Sequence, residues 1–108
     1  MSTDWHGDLG YGFPLTDSKL LEDINEGKLQ LPNHLDMMWA GDAFSEMETF
    51  IIVKDSKISA VSWCSCSQMI SPEKLIAPEE WETELMTWAD EHNIVNAAIG
   101  WWLCTSLG

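Results

Sequence analysis

Residues 47–63 run METFIIVKDSKISAVSW, two stretches rich in β-branched and aromatic residues, 47–54 and 57–63, separated by Asp55-Ser56. Such residues suit the half-buried surface of a pleated sheet, and a two-residue gap is the spacing of a tight antiparallel hairpin. The reading is therefore a pair of strands joined by a two-residue turn, at the centre of the chain.

Working back from that centre, residues 35–40 carry Met37, Met38 and Trp39 in a short apolar segment that reads as a strand. Thr16 offers a helix N-cap, Leu20, Leu21 and Ile24 supply one apolar stripe, and Gly27 is a natural stop, so a short helix is expected between them. Residues 9–15 place Tyr11, Phe13 and Leu15 at period two, and Pro14 confines that strand to an edge or an end. The first eight residues are expected to be loose.

Working forward, residues 64–77 have few periodic cues and read as a loop, and Pro78 is suited to the first position of a helix. Trp81, Leu85 and Trp88 recur at spacings of four and three with Ala89 beside them, a core-facing stripe that continues to about residue 91. After His92-Asn93, residues 97–104 read as a last strand. The expected class is α+β, a mainly antiparallel five-stranded sheet with two helices in the order βαβββαβ, forming one domain over residues 1–108.

Five strands and two helices raise a question of coverage, because neighbouring strand residues point to opposite faces. Trp101 and Trp102 cannot enter the same core, nor can Met38 and Trp39. Either the helices divide between the faces, or one face exposes Trp and Met as an interaction surface, or the sheet twists and is wrapped by its own loops. Trp39 and Trp102 are the candidate anchors for a partner.

Charge narrows the classes of partner. Across 108 residues, 18 Asp and Glu stand against five Lys and no Arg, a formal net charge of -13. That field repels phosphate backbones and anionic headgroups, which disfavours direct binding to nucleic acid or membrane and favours a basic protein surface. An apolar fraction of 45%, with seven Trp and six Met, supports one packed core and opposes a disordered chain. The polar, acidic start and the absence of any long apolar run lead to the expectation of a soluble cytoplasmic protein. Cys64, Cys66 and Cys104 are odd in number and read as free thiols of a reducing compartment.

Chemistry-bearing patterns are sparse. Cys64-Ser65-Cys66 with His6, His34 and His92 has the wrong spacing for paired zinc doublets, so no metal is expected. A cysteine nucleophile needs a cation to stabilise its thiolate, and this chain supplies the opposite field. Gly10-Tyr11-Gly12 is a fragment of a dinucleotide fingerprint, and Pro14 opposes the helix that should follow. No catalytic residue and no cofactor is expected, and the chain reads as a binding protein.

The acids themselves have an arrangement. On the second helix Glu80, Glu84 and Glu91 fall on one flank and Glu79, Glu82 and Asp90 on the other, with Glu22, Asp23 and Glu26 of the first helix as an extension. Helix neighbours three or four residues apart lie about 5–6 Å from each other, close to the spacing of backbone phosphates, and like charges at that distance destabilise the helix. Glu79, Glu80 and Glu82 favour the helix dipole, whereas Asp90 and Glu91 stand at the end where it disfavours them.

Gly10-Tyr11-Gly12-Phe13, the central strands, the Trp-bearing acidic helix and Gly100-Trp101-Trp102-Leu103 form a series that resembles small uncharacterised phage-encoded proteins, often seen in phages of actinobacteria. The resemblance implies a viral accessory role against a host defence or a host enzyme, and no catalytic residues. The leading expectation is an inhibitor that occupies the nucleic-acid surface of a basic host protein, in the manner of anti-CRISPR and anti-restriction DNA mimics. An immunity protein or antitoxin against a basic nuclease is the nearest alternative. A virion or assembly component acting by self-association, in its simplest form a homodimer, is the third.

Overall fold

Trp5–Leu15 is the longest strand, β1, and the rest of the sheet is arranged around it. The computed structural model describes residues 5–42, 47–61 and 69–107. The remaining α-helices and strands are α1 (Ser18–Asn25), β2 (Leu35–Asp42), β3 (Glu48–Val53), β4 (Ile58–Val61), α2 (Glu79–Glu91) and β5 (Gly100–Leu107), the expected βαβββαβ order of an α+β fold, with a 3-10 turn at Pro72–Leu75 inside the stretch expected to be a loop. β1 begins at Trp5, so residues 5–8 belong to the sheet and are not the loose end that was expected.

The central hairpin does not form. β3 and β4 both run antiparallel to β1 along the same edge, β3 against residues 12–15 and β4 against residues 6–9. Lys54–Ser56 makes a single 3-10 turn between them, and six positions from Ile52 to Ile58 are set against three from Gly12 to Leu9. The reason is local. A two-residue hairpin turn requires a positive φ, and none of Lys54, Asp55 or Ser56 has one. The chain steps sideways instead of reversing. The buried Ser56 hydroxyl accepts the Tyr11 backbone N–H at 2.9 Å and donates to the Val53 carbonyl at 2.6 Å, which pairs a β1 donor at the break in the ladder.

β1 pairs through residues 5–12 with β5 on its other side, β3 pairs with β2, and Gly41 and Asp42 at the end of β2 meet Ser106 and Leu107 of β5 in a short parallel pairing. The pairings close a ring, β1–β3–β2–β5, with β4 attached to β1. That ring answers the coverage question. One face holds Phe13, Leu15, Leu35, Met37, Ile51 and Val53 under both helices, while the other gathers Met38, Phe50, Ile52 and Cys104, with no residue of α1 or α2 among the described members of that cluster.

Two glycines of β1 make the inner core possible. A Cβ on Gly12 would lie 1.9 Å from the Ile51 carbonyl oxygen, and one on Gly10 would press on Ile52 and on the Met38 sulfur. Pro14 stands beyond Gly12, the last β1 residue that pairs with β5, where a missing N–H is tolerated.

The helix boundaries differ slightly from expectation. Asp17, not Thr16, caps α1, its carboxylate accepting the N–H groups of Lys19 and Leu20, and Gly27 ends the helix at φ 78° as expected. Pro78 precedes α2 instead of opening it. Trp81, Leu85, Trp88 and Ala89 face the core, as their spacing required. Asn93 and Asn96 both adopt positive φ, so residues 94–99 form a loop and the last strand starts at Gly100 instead of residue 97.

Candidate functional site

Helix α2 places its carboxylates by the same periodicity that buries its tryptophans. With Leu85, Trp88 and Ala89 turned to the sheet, Glu79, Glu80, Glu82, Asp90 and Glu91 are exposed and Glu84 is half-buried. The two flanks are distinct. Glu84 and Glu91 line a shallow cleft with Pro32, His34 and Thr87, whereas Glu82 and Asp90 line a larger groove with Met86 and the 94–99 loop. Glu79 and Glu80 line neither groove.

On α1, Glu22 and Glu26 are exposed and Asp23 is half-buried. Leu20, Leu21 and Ile24 pack on the same core as α2, so both helices rest on one sheet face and their outer sides look away from it. Lys28 lies 2.9 Å from Glu26, the one ion pair among the described residues. Exposed pairs of this kind neutralise locally and contribute little to stability. The α2 carboxylates have no basic residue in the last helical turn to offset Asp90 and Glu91.

The two candidate aromatic anchors fare differently. Trp39 is 44% exposed in the cross-strand row Leu15–Thr49–Trp39, and Met47 just ahead of β3 is also exposed. Trp102 is half-buried, its ring 5.2 Å from Phe50 and its indole N–H donating to the Ala98 carbonyl at 3.0 Å. It belongs to the inner core and offers a partner only part of its surface. Trp101 turns the other way, against Tyr11 and Trp81, with its N–H on the Leu75 carbonyl.

Tyr11 sits beneath this acidic helix, and its hydroxyl is pushed above its ordinary pKa by burial and then by the charge of Glu82. The Cys104 thiol is buried, and desolvation with the nearby Asp8 and Glu48 carboxylates raises its pKa to about 11. It is held as a neutral thiol, a packing group of the inner core. Cys64 and Cys66 lie outside the described residues. Among the described residues no three His, Cys, Asp or Glu gather as a metal-binding group, and no helix is long and apolar enough to cross a membrane.

Sequence reasoning missed the groove beside α2. Its apolar wall comes from Ile94, Ala97 and Ile99, which were assigned partly to a strand and have no periodic signature as a loop. The signal was Met86, an apolar residue midway between Glu82 and Asp90 at spacings of four, on a face that solvation alone would leave polar. No protein-family model, no curated protein and no solved structure matches this chain.

Proposed function

We propose that this chain binds and inhibits a basic host protein, acting through its acidic helix faces and not through catalysis. The observation that carries the reading is the pair of carboxylate flanks on α2, solvent-facing and without a basic residue in the last turn to balance them. Like charges so placed weaken the helix and work against its dipole at Asp90 and Glu91, and a basic partner surface relieves both costs. A net charge of -13 accelerates encounter with such a surface and repels nucleic acid itself. Trp39, with Met47 near it, is the aromatic anchor best placed to hold the complex.

Carboxylates at phosphate-like spacing support nucleic-acid mimicry, and the resemblance of the glycine and tryptophan motifs supports a phage inhibitor of the anti-CRISPR or anti-restriction kind, at work in the host cytoplasm. The same surface would serve an antitoxin, and the identity of the partner separates the two. The test is a tagged pull-down from bacterial lysate at low salt, repeated at high salt and with competing duplex DNA. Capture of a basic nucleic-acid enzyme that salt or DNA releases, and that the purified chain inhibits, supports the proposal. Capture of nothing at either salt removes it.

Self-association has one observation in its favour. Ile58, Leu9 and Leu103 form an apolar row across β4, β1 and β5, with Leu103 75% exposed. Mutual repulsion of two chains at -13 opposes it. A monomer on gel filtration at high protein concentration and moderate salt excludes a homodimer.

A further inference from the structure

The groove beside α2 has a volume of about 490 Å³ and combines two features in one wall. Its floor is apolar, built from Met86 and Ala89 of the helix and Ile94 and Ile99 of the loop, and its helical wall ends in a carboxylate on each side, Glu82 and Asp90. Met86 is 49% exposed and Val95 of the rim 80% exposed, so the apolar surface is open to an incoming group. Eight residues separate the two acids, about 12 Å along the helix axis. One cation cannot touch both.

We propose that this groove receives a basic–apolar–basic segment of the partner. An apolar side chain sits on Met86, Ile94 and Ile99, and an arginine or lysine at each end meets Glu82 or Asp90. The complementarity is of two kinds at once. A purely apolar occupant would desolvate the carboxylates without a counter-charge, and a purely basic one would leave the apolar floor uncovered. Long cationic side chains lay their methylene stems on apolar surface while their heads stay at its edge, which matches an apolar floor with acidic ends. Arginine is favoured over lysine because its guanidinium is the more weakly hydrated and pairs with carboxylate through two donors. This assignment rests on the reading of the chain as a binder of basic proteins and says where on α2 the partner is read.

The test uses two helical alanine-based peptides of identical composition, titrated at low salt into the full chain labelled with ¹⁵N. In one, two arginines stand seven residues apart with a leucine between them, about 10.5 Å along the axis; in the other they stand three apart, about 4.5 Å. The spaced peptide should bind at least about fivefold more tightly, with shifts centred on Met86, Ile94 and Val95. Glu82→Gln with Asp90→Asn should weaken it about tenfold, and Glu84→Gln with Glu91→Gln, which removes the same charge from the opposite flank, no more than about threefold. Asp55→Asn with Glu73→Gln, two exposed acids that are not part of α2 and line neither of its grooves, should leave the affinity unchanged.

Equal affinity for the two peptides, equal losses from both α2 pairs, or shifts centred on His34 and Thr87 would overturn the groove while leaving the general acidic surface in place. Absence of binding by either peptide at low salt would overturn both readings. All six substituted acids are exposed or half-buried, and the shift map of the unmodified protein locates the peptide whatever the variants do.

Discussion

The two cores of this small domain are built by opposite means. The larger lies between the sheet and its helices, where Phe13, Ile51 and Met37 form one cross-strand row beneath Leu85 and Trp88. The smaller, around Met38, Phe50, Ile52 and Cys104, takes all its described members from strands, gathered where the sheet curls until β2 meets β5. The difference bears directly on function. Among the described residues both helices pack on the larger core alone, their outer sides turned away from the sheet, and those are the sides that carry the acids.

Gly12 is the most severe test of that arrangement. Gly12→Ala places a Cβ on the Ile51 carbonyl, backbone against backbone, and should cost about 4 kcal/mol or more or abolish folding, as read by urea denaturation. Gly10→Ala meets only the ends of the Ile52 and Met38 side chains, which can move, and should cost about 1–3 kcal/mol. Equal effects at the two positions would mean that β3 does not cross β1 where the ring requires it.

The next comparison sets one core against the other. Leu85→Ala and Met38→Ala each remove a fully buried side chain and should each cost about 2–5 kcal/mol in the same denaturation experiment. A loss below about 1 kcal/mol for Met38→Ala would show that the inner core is loosely packed and that the helix-covered core alone holds the domain.

Smaller effects sharpen the seam between β3 and β4. Ser56→Ala leaves the Tyr11 N–H without its partner and should cost about 1–3 kcal/mol. The Cys104 thiol, with an ordinary value near 9.0, is raised to about 11 in the fold, so the unfolded chain releases its proton first as pH climbs. Stability is therefore unaffected below about pH 9 and falls as pH rises towards 11. The melting temperature should drop by a few degrees across that window, with Tyr11, whose pKa is also raised, adding to the loss at its upper end. Cys104→Ala should reduce the drop.

Much of the helix-covered core was legible in the sequence, because Trp81, Leu85 and Trp88 repeat at helical spacing and Tyr11, Phe13 and Leu15 alternate as a strand. Those signals are local. The inner core depends on which strands meet, and pairing is not written in any one segment: residues 47–63 have the composition of a hairpin, though Asp55-Ser56 lacks the glycine that most strongly favours a two-residue turn. Gly10 and Gly12 read in sequence only as a fragment of a dinucleotide fingerprint, and their packing role becomes visible only once β3 lies across them. That Glu84 and Glu91 line one groove and Glu82 and Asp90 another follows from their helical spacing around the buried stripe. The half-burial of Trp102 against Phe50 was not legible, because its face was undefined until the sheet closed.

The central claim is that the acidic flanks of α2 are a surface for a basic partner and not merely a solvated helix. The most direct test is the association rate constant with the captured partner, measured by stopped-flow from about 20 to 300 mM salt, a range over which the screening length falls several-fold. The account predicts an association rate that falls steeply with salt while dissociation changes little, and a shallower dependence when Glu82 and Asp90 are neutralised. An association rate indifferent to salt, equal in the unmodified chain and the variant, would contradict it.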